Sequence, residues 1–68
     1  MKIISVDIQV FIQFEMETER DGIIMYRVDK TSMDWERLWD NGWEEVTFDV
    51  ELKELTQLYN SWTYNLIK

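Results

Sequence analysis

Cysteine, histidine and proline are absent from this chain of 68 residues, and glycine occurs only twice, at Gly22 and Gly42. Each absence closes a route. Disulfides are excluded, and so are thiolate and imidazole metal sites. The commonest general base and the best nucleophile go with them. Two isolated glycines make no phosphate-cradling loop. Ser5, Ser32 and Ser61 have no visible base partner, and the adjacent Glu44 and Glu45 would face opposite ways on a strand. The expectation is therefore not an enzyme, with no metal and no cofactor. Basic residues are also scarce: seven Lys and Arg face fourteen Asp and Glu, a net charge of −7. Such a chain is repelled by nucleic acid and by anionic membranes, which leaves protein as the expected partner. Long apolar runs are missing too. Asp7 interrupts the N-terminal stretch, and nothing approaches the ~20 apolar residues of a membrane span. No leader is expected, and a cytoplasmic location is the default.

Aromatic residues, by contrast, are plentiful: ten of them, including Trp35, Trp39, Trp43 and Trp62. The length suits one domain over residues 1–68. A chain this short buries only ~60% of its unfolded surface. Dense aromatic packing and a second copy of the chain are the remaining sources of stability, so a homodimer is expected.

Hydrophobic patterning predicts the elements. Ile4, Val6, Ile8, Val10, Ile12, Phe14 and Met16 alternate with Ser5, Asp7, Gln9, Gln13 and Glu15, which predicts one long strand with a buried and a wet face. Phe11 breaks the wet face and hints at a second contact surface. Asp21-Gly22 predicts a hairpin turn into a second strand carrying Ile24, Tyr26 and Val28. Thr31, Ser32 and Asp34 then supply helix-start chemistry, and Trp35, Leu38 and Trp39 fall at i, i+3 and i+4. A short helix ending at Asn41-Gly42 is expected there. A third strand is expected from Val46 to Leu52, with Phe48 and Val50 on its apolar side. Leu55, Leu58, Tyr59 and Trp62 have helical spacing, so a helix is expected up to about Trp62. The predicted fold is α+β: a three-stranded antiparallel sheet with one helix (β-β-α-β) over residues 3–53, plus a C-terminal helical extension over 54–68.

The segment D-W-E-R-L-W-D-N, Asp34 to Asn41, carries more aromatic surface than one short helix needs for a core. Trp35 and Trp39, rimmed by Asp34, Glu36 and Asp40, match the apolar centre and polar rim of a binding hot spot. Leu38, Tyr26 and Phe48 are read as core or dimer-contact residues.

Asp34, Trp35, Glu36, Leu38, Trp39 and Asn41 also form a motif that resembles the small uracil-DNA glycosylase inhibitors of phi29-type Bacillus phages. Asp21-Gly22 and Tyr26 match that family's hairpin, and the likeness spans roughly residues 6–53. Trp39 replaces the family's Tyr, and Arg27 stands where an acid is expected. The resemblance implies a symmetric homodimer that mimics DNA. In it, Trp35 and Trp39 of two protomers would cage the apolar side chain with which the glycosylase wedges open a duplex, and Glu36 would stand in for a phosphate. The remaining expectations are a DNA mimic aimed at another host defence nuclease, or a small structural or assembly dimer whose tryptophans are core.

Overall fold

A computed structural model describes residues 1–67 and leaves Lys68, the last residue of the expected extension, outside the described residues. Five strands follow one another, β1 (Lys2–Ile8), β2 (Phe11–Thr18), β3 (Gly22–Asp29), β4 (Trp35–Trp39) and β5 (Gly42–Glu45), and the helix α1 (Asp49–Ile67) closes the chain. The strands form one antiparallel meander in the order β1-β2-β3-β4-β5. The fold is α+β, as expected, with five strands in place of three.

Three differences account for the change. The long first strand is two, joined by Gln9-Val10, with Ile8 paired to Ile12. Partners four residues apart share a face both in a continuous strand and across this turn, so the period-2 pattern runs through the reversal unbroken. Val10 consequently sits at the hairpin apex, 80% exposed, and Ile4 and Ile8 are exposed as well. Secondly, the expected helix over Asp34–Asn41 is strand β4 and its turn into β5. A helix this short is marginal alone, whereas the free edge of β3 offers it a backbone ladder. Asn41-Gly42 ends a hairpin, with Trp39 paired to Gly42 and Gly42 at positive φ. Thirdly, Val46–Leu52 is not a strand. Val46 is buried and its N–H donates to the Trp35 carbonyl (2.9 Å), but Phe48 and Val50 are exposed and the helix starts at Asp49. Asp49 and Glu51 lie in its first turn, where acids suit the helix dipole.

The expected Asp21-Gly22 hairpin forms. The Asp21 N–H donates to the Thr18 Oγ1 (3.0 Å), and that hydroxyl donates to the Gly22 carbonyl (2.9 Å). Ile24, Tyr26 and Val28 alternate inward on β3 as predicted.

The helix covers one face of the sheet. Ile12, Phe14, Met16, Ile24, Tyr26, Val28, Trp35, Val46 and Leu55 form the core, with Leu52, Leu58, Tyr59 and Trp62 packed against it. Phe14 is its aromatic hub, with ring centroids 5.7 Å from Trp35 and 5.3 Å from Trp62. Residues beyond 53 therefore supply Leu55, Leu58, Tyr59 and Trp62 to the core and are not an appendage. No helix of the described residues is long and apolar enough to cross a membrane.

Candidate functional site

On a strand, successive residues face opposite sides, and this separates the residues of the D-W-E-R-L-W-D-N segment. Trp35, Arg37 and Trp39 share the helix side of β4, while Glu36 and Leu38 share the other. Trp35 is only 3% exposed, stacked at 5.7 Å on Phe14 and edge-on to Tyr59 at 6.1 Å. Trp39, four residues and ~13 Å further along the strand, lies outside the core and is 41% exposed. The Arg37 guanidinium sits 4.2 Å over its ring. Trp35, Glu36 and Trp39 are thus not brought together within one chain. Asp34 precedes β4, and Asp40 lies in the turn after it; both are exposed. Of the residues read as core, Tyr26 is buried, while Leu38 and Phe48 are exposed.

Arg37 and Tyr26, paired across β3 and β4, converge on one carboxylate oxygen of the helix. Glu51 Oε2 accepts from the Tyr26 hydroxyl at 2.6 Å and from Arg37 Nη1 at 2.5 Å. Burial, and then the hydrogen bond and charge of Glu51, push the Tyr26 phenol well above its ordinary pKa. This node ties the first turn of α1 to the middle of the sheet.

The other face of the sheet has no helix over it. At its centre Arg27 lies between two rings, its guanidinium carbon 4.2 Å from the Phe11 centroid and 4.3 Å from that of Trp43. Its Nε donates to Glu36 Oε1 at 2.7 Å, a cross-strand pair in register. One side chain thereby links β2, β3, β4 and β5. Such stacking contributes roughly 0.5–2 kcal/mol per contact, more where water is excluded. The register puts six carboxylates around this centre, from Asp7, Glu15, Glu17, Asp29, Glu36 and Glu45, against Lys2 and Arg27 as the bases. Besides Glu36, two of the acids are held by side chains, Glu15 by the Ser5 hydroxyl (2.9 Å) and Asp7 by the Gln9 amide (3.0 Å). Asp29 Oδ1 accepts the backbone N–H groups of Thr31 (2.8 Å) and Ser32 (3.2 Å), which lower its pKa. Ile23, Met25 and Leu38 add apolar surface beside the acids.

Phe11 was legible as a contact residue because it is the one apolar side chain off-phase in the first alternation. Trp43 and Glu45 were not, because their faces follow only from placing 35–45 in the sheet; the face of Arg27 follows from the alternation of β3, but its ring partner on β5 does not. The face offers carboxylates, aromatic edges and a thioether, a set suited to a cationic and apolar surface. Comparison with known proteins adds nothing to this geometry: no family model, no curated protein and no solved structure matches the chain.

Proposed function

We propose that the chain is a non-catalytic binding protein that presents the open face of its sheet to the basic, DNA-holding surface of an enzyme in the host cytoplasm. The observation that carries this reading is the helix-free sheet face, with six carboxylates around the Phe11–Arg27–Trp43 stack. Carboxylates spaced along a stiff sheet attract a basic channel at long range and orient the encounter. The apolar side chains between them supply contact area once water is displaced. In this reading the chain competes with DNA by occupying the surface that holds phosphates.

Uracil-DNA glycosylase is the first target to test, on the strength of the Asp34–Asn41 motif. With Trp35 in the core, the reading differs from the caged-wedge arrangement that the resemblance implies. Glu36 and the neighbouring acids carry the mimicry, and Trp39 is the tryptophan available to a partner. The test is uracil excision from a duplex oligonucleotide with and without the purified protein. Inhibition at micromolar protein that weakens as salt rises is expected. Absence of both inhibition and binding at low salt would remove this enzyme as the target and direct the same assay to other DNA-handling enzymes.

A further inference from the structure

The sheet is split at one place. The β3–β4 ladder covers only Tyr26, Arg27 and Val28 against Arg37, Glu36 and Trp35. Both strands continue past it: β3 begins at Gly22, and β4 runs on to Trp39. Extending the register would set Met25 against Leu38 and Ile24 against Trp39, yet neither pair forms. On its other edge β4 stays paired, Leu38 with Trp43 and Trp39 with Gly42, so only the edge toward β3 is left open. The ladder ends at Tyr26–Arg37, the pair clasped by Glu51, and beyond that clasp β3 and β4 make no further pairs.

The gap is a cleft of about 480 Å³. Ile23, Met25, Leu38 and Trp39 line it, and Ile23 is 61% exposed although it sits in a sheet. Ile24 lines it as well, and so do Asp21, from the turn before β3, and Asp40, from the turn after β4. Neither aspartate forms an ion pair among the described residues.

The geometry points to this cleft as a seat for an extended, basic segment of a partner protein, bound as an added strand along β3 between Gly22 and Met25. Four residues of β3 without partners on β4 are ~13 Å of strand edge, the length over which a short peptide adds to a sheet through its backbone. Alternate side chains of that peptide face Ile23, Met25 and Leu38, which favours apolar residues at every second position. The intervening or flanking positions come under Asp21 and Asp40 and favour Arg or Lys. A second copy of this chain is a poor occupant, because it brings its own net charge of −7 to the two aspartates.

The inference narrows a charged face to one seat, and its test contains no enzyme, so its failure and that of the proposed function are distinguishable. The probe is a blocked six-residue peptide of alternating valine and arginine, titrated into the isotopically labelled full chain while amide resonances are followed. Saturable shifts concentrated at residues 22–25 and 38–40 are expected. Asp21→Lys with Asp40→Lys weakens binding at least tenfold, while Gln57→Lys on the exposed side of the helix leaves it unchanged. Asp40→Asn alone, a milder turn substitution, weakens it by a smaller factor. Amide dispersion of each variant verifies that it folds. The inference is overturned by no shift at millimolar peptide, by equal binding of a control peptide with glutamate in place of each arginine, or by shifts spread across Asp7, Glu15 and Glu45.

Discussion

At the scale of single residues, the two tryptophans of the aromatic segment have different work. Trp35 fills the space between Phe14 and Tyr59, whereas Trp39 lies against Arg37 with much of its ring in solvent. Trp35→Ala is expected to cost ~3–5 kcal/mol, the range for removing a large core aromatic. A chain of this size has roughly 3–10 kcal/mol in all, at ~0.05–0.15 per residue, so the variant loses about a third of its stability or more. Trp39→Ala removes a stack of ~0.5–1 kcal/mol and should leave a cooperative fold. Urea unfolding followed by circular dichroism separates them; equal destabilisation by both would contradict the placement of Trp35. The Tyr26–Glu51 bond makes a second residue-scale prediction. The folded state holds the Tyr26 proton more tightly than the unfolded chain does. That stabilisation is complete below the ordinary phenol value of ~10 and is lost as the pH rises above it, where the unfolded chain releases its proton first. The urea midpoint should fall above pH 10, and Tyr26→Phe, starting ~1–2 kcal/mol less stable, should fall less steeply.

At the scale of elements, the segment 35–45 shows what a sequence pattern leaves open. Trp35 and Trp39 share a face at a spacing of four whether the backbone is helix or strand. Only Leu38 distinguishes the two, and an apolar residue there points to a helix. The sheet accommodates Leu38 on its open face, opposite Trp43, a neighbour that no local periodicity reveals. The same ambiguity misplaces Phe48 and Val50, whose alternation reads as a strand but whose side chains stand exposed where α1 begins. Legible features were those that local pattern settles alone: the Asp21-Gly22 turn, the inward Ile24, Tyr26 and Val28, and the helical stripe Leu55, Leu58, Tyr59 and Trp62. The Phe11–Arg27–Trp43 centre was illegible because it joins three strands. Two predictions belong here. Backbone chemical shifts of Trp35–Trp39 should be those of extended chain; helical shifts would refute the five-stranded sheet. A chain ended after Lys53 should not fold, because it lacks Leu55, Tyr59 and Trp62 over the sheet; a cooperative unfolding transition in that fragment would refute the account of the core.

At the scale of the whole molecule, one layer of helix on one sheet leaves a second sheet face in water, and that face holds most of the strand carboxylates. Antiparallel sheets tolerate this because alternate residues are polar. Here the polar set is mainly acidic, so the uncovered face also has a direction in its charge. Apolar side chains beyond it, among them Ile8, Val10, Phe48 and Leu66, remain exposed. The homodimer expected from the sequence would pair through such side chains and not through the acidic face. Sedimentation velocity should show a dimer at micromolar concentration, and its dissociation should not respond to charge changes at Glu15 or Glu45.

The central claim, that the open face meets a basic enzyme surface, is tested most directly by reversing its charge. Asp7→Lys, Glu15→Lys and Glu17→Lys in one chain alter the face without replacing a core residue or a neighbour of the Arg27–Glu36 pair. Titration calorimetry against uracil-DNA glycosylase, near physiological salt, is predicted to show micromolar or tighter binding by the unaltered protein and at least a tenfold loss in the variant. Undiminished binding by the charge-reversed chain would contradict the claim.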